Sequence, residues 1–354
     1  MLDQKDHIVA ETAARIFADL ADPQTINREK NGAWKESLWQ TLDDAKMPLA
    51  WVPERLGGSG ASLAEGFAIL GVAGRFALAV PLAETLASGW LASAGLEAPA
   101  AAMTVAPARP HERITISADG RLNGHVSAIP FAQDCAHIAV LADNGKRQQI
   151  ALVDVKDCRL SERHNLAGDP ANTVTFDCVK PKYVAPATDG FDTTSLLLMG
   201  AVIRSVETAG ALEAILSLSV AYAIERKAFE RPIGKFQAVQ QNLARLAGEV
   251  AAALAVSGSA ADAIAQAESF DEGVFLEGAS AKVRTAEAAR EGAAIAHQVF
   301  GAIGFTQEHV LHRFTLRMLS WRDDFGNESY WAVELGKRIA SRGPDEFWPL
   351  MASR

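Results

Sequence analysis

The stretch Tyr222-Ala-Ile-Glu-Arg226-Lys-Ala-Phe229-Glu-Arg-Pro232-Ile-Gly234-Lys-Phe236-Gln237-Ala-Val-Gln240 decides how the second half of the chain runs. Upstream of it, Val202, Val206, Ala209, Ile215, Leu216 and Leu218 recur near helical spacing, while Ala209, Gly210, Ala211 and Ala214 admit close neighbours. Ser205 to Ala223 therefore reads as a long helix. Pro232 and Gly234 stop it, because proline has no amide hydrogen to give a helix and glycine favours turns. Gln237 to Leu246 then opens a second helix. Arg226, Phe229 and Gln237 gather at one tight corner, where a guanidinium, an aromatic edge and an amide face a common ligand. A diphosphate suits that corner, since the planar guanidinium donates two parallel hydrogen bonds to phosphate oxygens.

The spacing Arg226-Lys-Ala-Phe229, Pro232-Ile and Phe236-Gln237 resembles the Arg-x-x-Phe-Gly-x-Pro-Ile-x-x-Phe-Gln corner of acyl-CoA dehydrogenases. The resemblance implies that Arg226, Phe229, Phe236 and Gln237 contact the FAD of a neighbouring subunit across a dimer interface. A second motif lies downstream in the same order. Gln298-Val-Phe-Gly301-Ala-Ile-Gly304-Phe305 resembles the family's Gln-x-x-Gly-Gly-x-Gly-Phe segment, which lies against FAD of the other protomer and adds Gln298, Gly301 and Gly304 to the cofactor-binding set. Ala302 replaces the middle glycine. Glu230 stands where the family usually has glycine after the phenylalanine, bringing a negative charge near the expected diphosphate, with Lys227 and Arg231 beside it.

A chain of 354 residues holds material for two or three domains. With 49% hydrophobic and 22% charged residues and few aromatics, the composition favours a mostly helical globular protein. A net charge of −9 argues against nucleic acid as partner. Cys135, Cys158 and Cys178 show no metal or redox spacing and read as reduced thiols. The sequence near Met1 lacks an apolar signal core and no uninterrupted apolar run approaches a membrane span, so the expectation is a cytoplasmic protein with no membrane association.

From Asp3 to Gly95 the period is helical: Val9, Ala13, Ile16, Phe17 and Leu20 mark one helix, and Trp34, Leu38, Leu42 and Met47 another. Trp51-Val-Pro-Glu-Arg-Leu-Gly57-Gly58-Ser-Gly60 is a turn without the lysine of a phosphate-binding loop, and Ser62 with Glu65 reads as a capping box. This turn resembles the Pro-Glu-x-x-Gly-Gly-x-Gly element bordering the acyl pocket in the family. Pro99 to Pro110 reads as a Pro/Ala linker, after which the period becomes two. Arg113 to Ser117 and Leu122 to Val126 flank Asp119-Gly120, and further strands are expected at 137–142, 149–155 and 173–179. Helices resume at Thr193. In the run from Gly278 to Val299, Ala281, Val283, Ala288 and Ile295 point inward, leaving Lys282, Arg284, Glu287 and Arg290 on wet faces. The expected architecture is multidomain α+β: an N-terminal all-α domain (1–100), a small middle antiparallel β domain (101–188) and a C-terminal helical bundle (189–354).

The family's chemistry takes a proton from the carbon beside a thioester carbonyl with a desolvated carboxylate, while hydride leaves the adjacent carbon for flavin. Family spacing puts the common position of that base at or beside Phe325, and the alternative position near Gly200. Neither is acidic. Asp323, Asp324 and Glu328 flank the first position, and Asp324 is the candidate base, although Trp321-Arg-Asp-Asp324 also reads as a salt-bridged helix end. The family's flavin-ring segments, Thr-Glu-x-x-x-Gly-Ser-Asp and Trp-x-Thr, are absent from the β region. His309 and His312, beside Glu308, lack a third metal ligand and read as packed or capping imidazoles, so no metal is expected.

The resemblance thus implies an FAD-dependent acyl-CoA dehydrogenase, or a subunit of one, acting on an acyl-CoA thioester. It implies a homo- or hetero-oligomer, dimer or tetramer, with FAD at the subunit interface and electron-transfer flavoprotein as acceptor. A short chain without a base resembles the smaller subunit of heteromeric members that act on bulky thioesters such as sterol side chains. A same-fold flavin monooxygenase and a non-catalytic partner that only completes the flavin site are the alternatives.

Overall fold

A computed structural model of the chain describes residues 4–29, 32–188 and 191–352. The first three residues of the expected N-terminal domain, and residues 189–190 where the expected C-terminal bundle begins, fall outside these. Helices come first: α1 (Gln4–Leu20), α2 (Pro23–Ile26), α3 (Trp34–Asp44), α4 (Leu63–Arg75) and α5 (Leu82–Ser93). The Ser62/Glu65 box forms as read, with the Ser62 hydroxyl accepting from the Glu65 N–H at 3.1 Å and Glu65 accepting from the Ser62 N–H at 2.7 Å. It starts α4 beneath the 51–60 turn, where Trp51 packs edge-on against Phe67.

Strands follow: β1 (Met103–Ala106), β2 (Ile114–Ile116), β3 (Leu122–Pro130), β4 (His137–Asp143), β5 (Gln148–Asp154), β6 (Arg159–Ser161), β7 (Ala171–Val179) and β8 (Tyr183–Pro186). The sheet order is β6-β7-β3-β2-β4-β5-β8, with β1 beside β4. Asp119-Gly120 and Asn144-Gly145 make the expected turns, each glycine at positive φ. The sheet is mixed rather than purely antiparallel, because β1 and β2 both run parallel to β4. β1 lies inside the stretch read as a linker. Its four residues are all buried, so it carries none of the alternation that betrays a half-exposed strand.

The rest is helical: α6 (Thr193–Glu225), α7 (Gln237–Gln266), α8 (Glu272–Phe300), α9 (Leu311–Trp321), α10 (Glu328–Arg342) and α11 (Pro344–Ala352), with a two-stranded ribbon β9 (Lys227–Ala228) and β10 (Arg231–Pro232) between α6 and α7. α6 is the central helix. It is long and apolar enough to cross a membrane, yet its most apolar window is wholly buried among α4, α7 and α8. Bare backbones set the α4–α6 crossing: a Cβ on Gly74 would stand 2.1 Å from the Glu207 carbonyl oxygen, and one on Gly210 2.1 Å from that of Gly71. Arg317 of α9 binds Asp169 through two hydrogen bonds of 2.8 and 2.7 Å and fixes the 165–170 loop of the sheet against the bundle.

Candidate functional site

α6 ends at Glu225, just beyond the expected Ala223, where the chain turns into the β9–β10 ribbon. The tip of that ribbon is Phe229-Glu230, both at positive φ (51° and 65°), a backbone that usually calls for Asn-Gly. A strained aromatic tip that is 90% exposed gains nothing from its own fold and is the kind of residue a ligand or partner explains. Phe236 stands edge-on to Phe229 at 6.3 Å, with the Arg231 guanidinium 4.1 Å from its ring centre. Phe236 caps α7, and Gln237 opens it exposed. Arg226 is exposed and forms no ion pair among the described residues. Glu230 likewise pairs with neither Lys227 nor Arg231.

The second motif lies at the same end of the bundle. Tyr222, one turn before Arg226, stacks on Phe300 at 4.4 Å and donates its hydroxyl to the Phe300 carbonyl at 3.4 Å. Gly301 then takes φ +64° with open space where a side chain would be, so the backbone is bare to an approaching group. A Cβ on Gly304 would press within 2.8 Å of Phe300 Cβ, which is why this turn needs glycine. Gln298, Gly301, Ala302 and Phe305 line a hollow of about 510 Å³ with Arg290 and His297. Phe305, 74% exposed, stacks on His297 at 4.4 Å. Burial pushes the His297 pKa down, leaving a neutral ring beside the hollow. An unpaired guanidinium, exposed aromatic tips, an amide and a bare glycine backbone suit the diphosphate and adenosine half of FAD. His309 is a packed imidazole: its ring lies 4.5 Å from that of Phe300 and its Nδ1 accepts from the Leu311 N–H.

The two positions that family spacing assigns to the base meet in space. Gly200 of α6 and Phe325, in the connection between α9 and α10, are in direct contact, and a Cβ on Gly200 would stand 2.2 Å from Phe325 Cγ. Phe325 is buried at φ +56°, its N–H donating to the Ala108 carbonyl and its carbonyl accepting from the Trp331 indole. The ring lies on bare helix backbone where a carboxylate would have to be. Gly200→Ala should therefore cost about 1–3 kcal/mol or more through overpacking, read as a lower urea midpoint with unchanged slope.

Asp324, the candidate base, faces a cleft of about 400 Å³ between sheet and bundle, lined also by Arg109, Ser127, Arg163, His164 and Asp323. Its Oδ2, however, accepts from Arg204 Nε at 2.9 Å. The bond orients the carboxylate and leaves Oδ1 without a donor among the described residues. Arg204, 3% exposed, spends its whole fork on carboxylates: Nε on Asp324, one terminal nitrogen on Glu207 at 2.6 Å and the other on Glu84. Burial pushes the Glu84 and Glu207 pKa values up against the pull of Arg204, that of Glu207 to about 7. Lys282, expected on a wet face, is 2% exposed, and its ammonium donates to the Trp321 carbonyl at 2.6 Å. The end of α9 supplies the unsatisfied carbonyl that makes the burial tolerable. Sequence reasoning passed over this cluster, although a lone arginine in the apolar run Leu196–Val206 was a visible signal.

Residues 189–328 match the family described as acyl-CoA dehydrogenase, C-terminal domain. The acyl-CoA dehydrogenase IpdE2 of Mycobacterium tuberculosis is 28% identical over 319 residues, which cover 89% of this chain and 91% of that protein. A chain of the ChsE4-ChsE5 complex from Mycobacterium tuberculosis superimposes with a TM-score of 0.85 at 23% identity, covering 97% of this chain and 99% of that one. The FAD complex of PigA gives 0.81 at 18% identity, with 97% and 99% covered. With the two motifs at one end of the bundle, residues 189–328 form an acyl-CoA dehydrogenase C-terminal domain, and the chain as a whole is similar to the FAD-dependent oxidoreductases of that family.

Proposed function

We propose that this chain is the base-lacking subunit of a hetero-oligomeric acyl-CoA dehydrogenase. It lends the corner and the glycine loop to an FAD whose ring, acyl chain and proton-abstracting carboxylate belong to a partner subunit. The observation that carries this reading is the Phe325 ring on Gly200: both base positions are in one place, and neither has a carboxylate.

Bound FAD supplies the hydride acceptor. The residues of this chain act on its outer half. Arg226 offers its guanidinium to the diphosphate oxygens, undiverted by any carboxylate. Phe229 and Phe236 cover that contact and exclude water, which strengthens it. Gln237 and Gln298 present amides to the adenosine side, while Gly301 lets the backbone come within hydrogen-bond reach. The α-proton of a bulky thioester, of the fatty-acid or sterol side-chain class, goes to the partner's base, and electrons leave to electron-transfer flavoprotein.

Two further features support a partner. α7 is apolar enough to pass for a membrane span but only 28% of that window is buried, with Leu254 exposed and open space at Gly248 and Gly258. The family-typical flavin-ring segments are also missing from the β region, so the ring needs another subunit. Co-expression with a base-bearing dehydrogenase subunit tests the reading: a yellow hetero-oligomer that loses FAD when this chain is omitted supports it. A partner that retains FAD and full activity alone sinks it.

A further inference from the structure

The buried charges around Arg204 belong to four different elements, and none reaches the corner or the glycine loop. Glu84 comes from α5, Arg204 and Glu207 from α6, Lys282 from α8, and Asp324 from the connection between α9 and α10. Two cations hold that connection from below. Arg204 binds the Asp324 carboxylate, and Lys282 binds the Trp321 carbonyl three residues earlier. The connection carries Phe325 and supplies Asp323 and Asp324, beside Ser320 of α9, to one wall of the 400 Å³ cleft. We propose that Arg204 and Lys282 form a proton-linked clamp on residues 321–326, tight when Lys282 is charged and slack when it is neutral, and that the clamp sets the position of the cleft wall.

The charge balance supplies the reason. One guanidinium faces three carboxylates in a space closed to water, so a proton shared among the acids lowers the cost of burial. Burial pushes the Lys282 pKa down to about 7; Asp324 opposes that shift, with Asp323 and Glu328 helping, and Arg204 reinforces it. Glu207 titrates in the same range. Cys135, just before β4, also faces Glu84, and burial first and then Glu84 hold its thiol protonated well above neutrality, so it takes no part. On the acid side of neutrality Lys282 is an ammonium and the Trp321 carbonyl receives a charge-assisted bond; on the alkaline side the neutral amine holds Trp321 more weakly, and the Arg204 Nε bond to Asp324, on a different nitrogen from that of Glu207, is what remains of the clamp. The inference stands on this geometry and does not depend on the flavin reading.

Hydrogen exchange of the full chain from pH 6 to pH 8, normalised to intrinsic amide rates, tests it. Amides of 321–327 should lose about fivefold in protection across that window, the difference between a charge-assisted and an ordinary hydrogen bond, while α6 stays flat. Lys282→Met should abolish the slope, and Glu207→Gln should move its midpoint. A purely structural cluster would change the level of protection in the variants and leave the wild type without a slope. Should either variant fail to fold, the Trp331 indole N–H, which donates to the Phe325 carbonyl at 3.0 Å, reports on the wild type by NMR. A titration of its shift between pH 6 and pH 8 supports the clamp. A flat profile in wild type, or a slope unchanged in both variants, overturns it.

Discussion

Arg204→Met is expected to destabilise the chain by about 3–5 kcal/mol, the usual cost of leaving buried charge without its partner. The side chain is nearly the right volume, so packing is not what is lost. What remains is Glu84, Glu207 and Asp324 converging on an apolar stem. The sign with pH follows from the acids. Buried without the guanidinium, Glu84 and Glu207 have folded pKa values raised further above their unfolded ones, so the folded state binds more protons than the unfolded state and stability falls as pH rises. Urea denaturation at pH 6 and pH 8 should therefore show the larger loss at pH 8. Neutralising the acids with Glu84→Gln and Glu207→Gln in the Arg204→Met background should recover part of it, since the penalty lies in the orphaned charge. A loss that is the same at both pH values would mean that Arg204 acts only as packing.

Arg226→Met carries the second large effect, and it falls on the cofactor rather than on the fold. Arg226 is exposed and unpaired, so its loss should move stability by no more than about 0.5 kcal/mol. A guanidinium bonded to a phosphate contributes about 1.5–3 kcal/mol, so FAD affinity of the assembled hetero-oligomer should fall roughly 10- to 100-fold. Arg226→Lys should recover little, because a point charge lacks the fork that matches two phosphate oxygens. Fluorescence titration of the deflavinated complex measures this. An unchanged affinity would remove Arg226 from the cofactor site.

The sequence spoke clearly where local chemistry was decisive. Ser62 and Glu65 announced the start of α4, and Asn144-Gly145 the β4–β5 hairpin. The two family-like motifs were legible as residue patterns, and their meeting through Tyr222 and Phe300 follows from both lying where α6 and α8 end. Counting along the family pattern also found that both base positions lack an acid. What escaped was what tertiary packing alone decides. The β9–β10 ribbon has Phe-Glu at its tip where turn chemistry calls for glycine. β1 is buried on both faces and shows no alternation. Lys282 looks like any surface lysine on a helix until α9 is laid against it. Asp324 gives no sign in its local sequence of Arg204, distant in the chain, which bonds one oxygen of its carboxylate.

The division of labour between this chain and a partner rests on the absence of a working base here. Anaerobic titration of the purified chain, reconstituted with FAD and given a panel of acyl-CoA thioesters, tests that most directly through the visible absorbance of the oxidised flavin. The account predicts no bleaching by this chain alone, and bleaching once a base-bearing subunit is added. Bleaching by the chain alone, abolished in Asp324→Asn, would contradict it and return the proton abstraction to this subunit.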